Sequence, residues 1–350
     1  MKIAIAGDAD ASIWRMSSRE RIARMARARG IAIVGDTASA GLVADARFAF
    51  DPLWFDHVVA HPGLSATCGG TPFLSHRGDA PAQIAAETAQ LYNPALRKTE
   101  RPFAMPLTPT TRDGAERASY DAAYKGATDI LTAYVWRGLA FHLVRLAAWI
   151  GLTPNMVTAI GLPFCIAAAL LFAHGWYLPG IAAGLVFMVL DTVDGKLARC
   201  TITSSQLGNA FDHGIDLIHP PFWWWAWLAG LAAHGTPLPE AVGMGALGLI
   251  LVAYMLQRSI EGGFIALFGI HVHVWRRFDT WFRLITARRN PNIALLLPFA
   301  AVGRPDWGFL ALAAWCVASL VVHVVRFGQA VLEHRRGKPV TSWLDQAASP

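Results

Sequence analysis

Long apolar runs in the second half of the chain constrain its fold more than any other feature of the sequence. The six runs cover residues 154–177, 178–198, 207–233, 241–270, 293–302 and 307–325. Apart from the short fifth run, each has about the length that a helix needs to cross a bilayer. Hydrophobic residues make up 54% of the 350 residues and charged residues 15%, which excludes a disordered tail or a protein that is soluble throughout. We predict an α-helical integral membrane protein with six transmembrane helices.

A candidate interfacial helix precedes the first apolar run. Between residues 120 and 150, leucines and valines recur every three or four positions, with Lys125, Arg137 and Arg145 among them. This pattern predicts an amphipathic helix that lies in the membrane interface. A helix packed on the surface of a soluble domain is the alternative.

The first hundred residues have ordinary polarity and alternate short apolar runs with loops. Runs at 3–6, 31–34 and 58–60 predict strands. Ser17 and Glu20 fit a capping box at the start of one intervening helix. We therefore predict a small N-terminal α/β cytoplasmic domain ahead of the membrane region.

Prolines at 102, 106 and 109 suggest a linker after this domain. The predicted division is an α/β domain at 1–100, a linker at 101–118, a membrane domain at 119–336 and a cytoplasmic tail at 337–350.

Basic residues cluster at two places outside the apolar runs. Five arginines lie between residues 276 and 289, and three more basic residues lie between 335 and 338. With an even number of spans, both clusters share the side of the N-terminus, as the positive-inside rule requires. We expect a protein of the cytoplasmic or inner membrane whose termini and active site face the cytoplasm. Clustering between apolar runs also favours membrane loops over nucleic-acid binding for a chain of net charge +6.

Four aspartates lie within the second and third apolar runs. Asp191 and Asp194 are three residues apart, and Asp212 and Asp216 are four apart, so each pair shares one helix face. Carboxylates at membrane depth need partners, and oxygen ligands select hard cations. We expect hard cations such as Mg²⁺ or Mn²⁺ between these acids, and two such ions would suit a phosphoryl-transfer site.

Small residues accompany the aspartates on the same two runs. Gly195, Ala198 and Gly208 leave room for a bulky ligand against the helix backbone. Close helix packing is the alternative for each residue taken singly.

These residues form a recognisable signature. The segment DTVDGKLAR at 191–199 is followed by eight residues and then by Gly208, Asp212 and Asp216. This pattern resembles the signature of the CDP-alcohol phosphotransferase family, also called the CDP-alcohol phosphatidyltransferases, at every fixed position and spacing. The segment TPNMVT at 153–158 also resembles that family, and the resemblance covers about residues 115–336.

The resemblance implies a transferase that moves a phosphoalcohol group from a CDP-alcohol to an acceptor hydroxyl and releases CMP. Asp191, Asp194 and Asp212 are then expected to hold one metal ion, and Asp191, Asp212 and Asp216 the second. Asp216 is also expected to take the proton of the attacking hydroxyl. The family is commonly dimeric, so a homodimer is expected.

The same resemblance implies a nucleotide site. Its expected residues are Gly195, Ala198, Arg199 and Gly208, together with Asn155 and Thr158 as phosphate contacts. Capping of the first membrane helix is the alternative for Asn155 and Thr158.

Three arginines are candidates for the acceptor. Arg258, Arg288 and Arg289 lie near the ends of the fourth and fifth runs and could hold a phosphate on an acceptor such as an inositol phosphate. The positive-inside rule alone is an equally good account of their position.

An α/β module ahead of such a domain is similar to the bifunctional enzymes that join an inositol-1-phosphate cytidylyltransferase to a di-myo-inositol phosphate phosphate synthase. This module is short for a nucleotidyltransferase and has no lysine between Lys2 and Lys98. We interpret it as a reduced, inactive relative kept for docking or regulation, and a polar-headgroup, inositol-phosphate type of transfer is the favoured function.

Two other functions fit the sequence. The first is a phosphatidyltransferase that uses CDP-diacylglycerol to make a phospholipid. The second is a non-catalytic transporter that carries a cation on its intramembrane acids.

Overall fold

The structure of the chain is a computed structural model that describes residues 1–204 and 206–346. The side chains at positions 206, 207, 209–213 and 346 are also outside the described part. The predicted metal ligand Asp212 therefore lies outside the described side chains.

The N-terminal residues form a six-stranded mixed sheet. The strands of the chain are β1 Lys2–Ala6, β2 Ser12–Ile13, β3 Met16–Ser17, β4 Ala32–Val34, β5 Leu42–Asp45, β6 Phe48–Phe50, β7 Leu64–Cys68, β8 Thr71–His76, β9 Ala82–Ala85, β10 Leu91–Asn93, β11 Lys98–Glu100 and β12 Ala104–Pro106. The sheet order is β4-β1-β5-β8-β7-β9. Strand β1 runs parallel to β4 and β5, with Ile3 opposite Ile33 and Leu42. The predicted N-terminal α/β region is confirmed.

The first helix begins where its cap predicts. Helix α1 covers Ser18–Arg27, and the Ser17 side chain accepts a hydrogen bond from the Glu20 backbone N–H at 3.1 Å. The strand prediction for 58–60 is wrong, because these residues end helix α2, Pro52–Ala60. Asp51 caps α2 by accepting from the Leu53 N–H at 2.8 Å, and a proline in the first turn favours a helix start.

The segment predicted as a linker has regular structure. It contains strand β12, which pairs antiparallel with β6, and the first half of helix α3, Arg112–Ala122. Pro106 is compatible with the strand because a two-stranded sheet has only edge strands. The division of the chain into domains stays a prediction.

The single helix predicted for 120–150 is interrupted. After α3 comes a π-helical turn at Leu131–Val135, and helix α4 covers Arg137–Ile150. Gly126 lies at the interruption, where a Cβ would stand 2.3 Å from the Arg97 carbonyl oxygen. Helix α4 keeps an exposed apolar face, so its place in the membrane interface stays a prediction.

In the described part of the chain, eight α-helices follow α4, and six of them lie at the positions of the apolar runs. The remaining helices are α5 Pro154–Ala173, α6 Tyr177–Cys200, α7 Gln206–His234, α8 Glu240–Phe268, α9 Arg277–Arg283, α10 Arg289–Ala301, α11 Pro305–Arg335 and α12 Trp343–Gln346. Among the described residues, α5, α6, α8 and α11 are long and apolar enough to cross a membrane. Helix α10 has only 13 residues, so an integral membrane protein is supported while six spans stay a prediction.

Two apolar cores matter for the site. One lies among the long helices and includes Trp223, Trp224 and Trp227. The other joins the N-terminal region to the membrane region. Its members include Ile13, Trp14 and Met16 of the N-terminal hairpin, Tyr120 of α3, Phe141 and Val144 of α4, and Leu197 and Cys200 of α6. The end of α6 is therefore packed directly against the N-terminal residues.

Candidate active site

A cavity of about 560 Å³ lies between the beginning of α5 and the end of α6. Six residues that the sequence assigned to the nucleotide or to the metal ions line this cavity. They are Asn155 and Thr158 of α5, Asp194, Gly195 and Ala198 of α6, and Gly208 of α7. The fold therefore brings the TPNMVT segment and the aspartate signature to one space.

Asp194 and Thr158 are in direct contact at the floor of the cavity. The Thr158 hydroxyl donates to Asp194 Oδ2 at 2.5 Å, and the Asp194 side chain is only 3% exposed. Thr153 provides the cap of α5, because its side chain accepts from the Met156 backbone N–H at 3.3 Å. Thr158 therefore positions an acid of the signature and does not cap the helix.

Gly195 and Ala198 leave the α6 backbone accessible along the cavity. A Cβ on Gly195 would stand 3.2 Å from Arg199 Nη2. Arg199 contacts α3, since its Nε donates to the Ala123 carbonyl oxygen at 2.9 Å. Lys196 Nζ donates to the same oxygen at 3.1 Å, so two cations of the signature help to fix α6 against the end of α3.

Asp191 and Asp216 share one arginine. Arg289, the first residue of α10, donates from Nη2 to Asp191 Oδ2 and from Nη1 to Asp216 Oδ1, both at 2.6 Å. Its guanidinium also lies 5.1 Å from the centre of the Phe187 ring. Helices α6 and α7 thus present their acids to a single positive charge, and Arg289, which the sequence assigned to the acceptor, contacts the acids instead.

The other two candidate acceptor arginines meet at Glu261. Arg258 donates to Glu261 Oε1 at 2.8 Å, and Arg288 pairs with Oε2. His273 and His323 are buried beside the same carboxylate, at 3.1 and 3.4 Å from Oε1. In the described part of the chain, Glu261, His273 and His323 are the one group of three or more possible metal-ligating residues whose ligand atoms all lie within 4.8 Å of one another.

The arginines near Glu261 have more buried hydrogen-bond donors than Glu261 can accept from. Among the described residues, Arg258 Nε, Arg283 Nη1 and Arg288 Nε are buried and make no hydrogen bond. The two arginines that pair with Glu261 already neutralise its charge, so the group is suited to an anion more than to a metal ion. His323 lies 50 residues beyond His273 in the sequence, and no spacing rule could have joined them.

The N-terminal region supplies the remaining wall of the cavity. Trp14, Arg15, Met16 and Arg24 line it together with Asp194 and Gly195. Sequence reasoning missed these residues, because neither a motif nor a periodicity connects a hairpin near residue 15 with a helix near residue 195.

The family model for CDP-alcohol phosphatidyltransferases matches residues 151–325. Cholinephosphotransferase 1 of Gallus gallus is 34% identical over 128 residues, which cover 33% of this chain and 37% of that protein. The archaetidylinositol phosphate synthase of Pyrococcus horikoshii is 34% identical over 123 residues, covering 34% of this chain and 61% of that protein. The chain thus matches about a third of the first relative's length and less than two thirds of the second's.

A solved structure matches part of the chain. It is the phosphatidylinositol phosphate synthase of Mycobacterium tuberculosis with CDP-DAG bound. The alignment has a TM-score of 0.44 and 22% identity, and it covers 54% of this chain and 94% of that one.

Proposed function

The chain belongs to the CDP-alcohol phosphatidyltransferase family, and from this premise we propose that it transfers a phosphoalcohol group from a CDP-alcohol to an acceptor hydroxyl and releases CMP. The observation that carries the proposal is the cavity of about 560 Å³. Within it, Thr158, Asp194 and Gly195 stand together although 36 residues separate the first two. Its volume suits a small ligand such as a nucleotide.

The residues proposed for the nucleotide are Asn155, Thr158, Gly195, Ala198, Arg199 and Gly208. Gly195 and Ala198 give the ligand access to the α6 backbone, and Thr158 fixes the orientation of Asp194. Arg199 lies beside Gly195, and its hydrogen bond to Ala123 holds α6 in place.

The four signature aspartates are proposed to hold two divalent ions, Mg²⁺ or Mn²⁺. Asp191 and Asp216 both pair with Arg289, so the two carboxylates attract a cation, and a metal ion would compete with the arginine for them. Carboxylate oxygens are the donors that these hard ions prefer. When bound, the ions supply neutralisation of the donor diphosphate and of the departing CMP.

Asp216 is proposed as the catalytic base. Its side chain is 44% exposed, so an acceptor hydroxyl can reach it. In the transfer, the acceptor oxygen forms a bond to the phosphorus that carries the alcohol, and the hydroxyl proton passes to the Asp216 carboxylate. The bond from that phosphorus to the CMP oxygen breaks, and CMP leaves with the electron pair.

We propose a polar-headgroup, inositol-phosphate type of transfer. Arg258 and Arg288, with the buried donors around Glu261, provide positive charge for a phosphate on the acceptor. The names of the relatives, cholinephosphotransferase and archaetidylinositol phosphate synthase, support a headgroup donor and an inositol phosphate acceptor respectively.

A lipid donor is the second candidate. The archaetidylinositol phosphate synthase is named for a lipid product, which favours a phosphatidyltransferase that uses CDP-diacylglycerol. A non-catalytic cation transporter is less well supported, because membership of a transferase family accounts for the same acids.

The arrangement in the cell is also part of the proposal. The positive-inside pattern favours a cytoplasmic active site and cytoplasmic termini. The proposed parts of the chain are the α/β domain at 1–100, the linker at 101–118, the membrane domain at 119–336 and the cytoplasmic tail at 337–350. The family relationship supports a homodimer.

The first experiment measures CMP release by the purified protein in detergent with Mg²⁺ or Mn²⁺. CDP-inositol, CDP-choline and CDP-diacylglycerol are offered separately, each with inositol phosphate, glycerol phosphate, inositol and diacylglycerol as acceptors. Release with CDP-inositol and inositol phosphate supports the favoured type, whereas release only with CDP-diacylglycerol selects the lipid donor. No CMP release from any combination contradicts the proposed function.

A variant tests the base. We expect Asp216→Asn to lower CMP release by roughly a thousandfold or more while the Kd for CMP changes little, since the general base is lost and the ion assigned to Asp191, Asp194 and Asp212 is retained. Asp113→Asn is the matched control, because Asp113 is 75% exposed and pairs with Arg145 away from the cavity. Wild-type turnover in Asp216→Asn would exclude the assigned role.

A further inference from the structure

The tip of the β2–β3 hairpin has an unusual backbone. Trp14 and Arg15 form the two-residue turn, and both have a positive φ, 52° and 58°. Glycine or asparagine normally occupies such turns, because other residues in the left-handed region are strained. Two large residues in these positions indicate that their side chains have a use that outweighs the turn preference.

Contacts with the membrane region hold the tip in place. The Trp14 backbone N–H donates to Glu116 Oε1 at 3.1 Å, and its indole packs edge-on against Phe141 of α4. Arg15 Nη1 donates to the Trp149 carbonyl oxygen near the end of α4 at 2.5 Å. Trp14 is buried by these contacts, whereas Arg15 remains exposed at the rim of the cavity.

Helix α1 makes a second connection, to the end of the signature helix. Arg21 and Arg24 donate to the carbonyl oxygens of Cys200 and Thr201, at 2.8 and 2.9 Å. Cations at the C-terminus of a helix satisfy its last carbonyls and complement its dipole. Burial lowers the pKa of Arg21 from its ordinary value. Arg24 is only partly buried and lines the cavity, and its Nε pairs with Glu20 Oε1 at 2.8 Å.

The charges around the cavity are therefore divided between its two sides. Asp194 lies on the membrane-helix side, and Arg15 and Arg24 lie on the N-terminal side. Resting on the proposed function, we propose that the Trp14–Arg15 turn and Arg24 form the outer wall of the donor site and bind the anionic nucleotide part of the CDP-alcohol. The N-terminal region then contributes binding residues to the transferase site itself.

The proposal differs from the sequence-based interpretation of this region as a reduced docking or regulatory module. A docking module needs contacts with the membrane domain but no exposed cations inside its cavity. Arg15 contacts the membrane domain and is also an exposed cation in the cavity. Its Nη1 donates to the end of α4, and its side chain lines the cavity.

Direct CMP binding to the full chain tests the wall. The measurement is titration calorimetry of CMP in detergent, with Mg²⁺ present. The variants are Arg15→Asn, Arg24→Gln and the double variant. We expect the double variant to raise the Kd for CMP by roughly tenfold or more, because charge-assisted hydrogen bonds to the ligand are lost. Arg27→Gln is the matched control on the exposed side of α1, and its Kd is expected to equal that of the wild type.

If Arg15 only supported the turn, its replacement would lower the unfolding midpoint and leave CMP affinity unchanged. The proposed binding role predicts the opposite. Asparagine adopts the left-handed conformation readily, so Arg15→Asn is expected to keep the apparent unfolding midpoint while it weakens CMP binding. Arg15→Lys, which retains the charge, is expected to restore most of the affinity. A fall in the midpoint with unchanged CMP affinity would overturn the proposal.

The result also separates the two proposals. Suppose that the wild type binds CMP and also releases CMP from a donor. If the double variant then binds CMP with the same Kd as the wild type, only the proposed wall is contradicted. If the wild type neither binds CMP nor releases it from any CDP-alcohol, the proposed function fails and the wall fails with it.

Discussion

At the scale of single residues, three of the signature aspartates have defined partners on other helices. The structure places Asp194 in contact with Thr158, and it places Asp191 and Asp216 in contact with Arg289. The sequence did not predict that Arg289 joins the last two acids. An arginine 73 residues beyond Asp216 has no periodic relation to it, so the contact depends on how α10 packs and not on any local pattern.

Arg289 and a metal ion would use the same carboxylate oxygens. We therefore expect Arg289→Met to bind Mn²⁺ more tightly than the wild type, by about tenfold, because a competing cation is removed while both acids remain. Free Mn²⁺ in a titration, followed by electron paramagnetic resonance, gives the Kd without any turnover.

Arg304→Met is the control for this prediction, since Arg304 pairs with Asp306 at the start of α11. Its Mn²⁺ affinity should match the wild type. Weaker Mn²⁺ binding by Arg289→Met would show that the arginine supports the ions and does not compete with them.

At the scale of elements, apolar length was the reliable signal. The helices α5 to α8, α10 and α11 lie where the six apolar runs predicted them, because a long charge-poor run has few other stable structures. Short segments were less predictable. The apolar residues 58–60 fit a strand by composition, but the Asp51 cap and the following proline start a helix that includes them.

The interruption after α3 depends on a close backbone approach that periodicity cannot show. Gly126 donates its N–H to the Leu96 carbonyl oxygen at 2.8 Å, and a Cβ there would stand 2.3 Å from the Arg97 carbonyl oxygen. We expect Gly126→Ala to destabilise the protein by about 1–3 kcal/mol, because the backbone must move to admit a methyl group. The apparent unfolding midpoint in detergent measures this change.

Gly138→Ala is the matched control within α4, where a Cβ would meet nothing within 4 Å. Alanine is the better helix former by about 1 kcal/mol, so this variant should be neutral or stabilising. Equal midpoints for the two variants would mean that the turn at Gly126 can relax without cost.

At the scale of the whole molecule, the N-terminal region and the membrane helices share one apolar core. Ile13 and Met16 pack in the same cluster as Val144 and Leu197. The sequence suggested two independent parts, because polarity changes near residue 100 and prolines follow. Composition reports where segments can lie relative to the membrane, but it does not report which surfaces they bury against each other.

The shared core predicts that the transferase site depends on the packing of the N-terminal region. Ile13 is fully buried in the core, so Ile13→Asp places an unpaired charge there and is expected to cost about 3 kcal/mol or more. The unfolding midpoint should fall and CMP release should fall with it, because the end of α6 loses its support. Ile33→Asp is the control, since Ile33 lies in the same region on an edge strand and is 40% exposed. If Ile13→Asp keeps the wild-type unfolding midpoint and the wild-type rate of CMP release, the transferase site does not depend on the packing of the N-terminal region, even though residues of that region line the cavity.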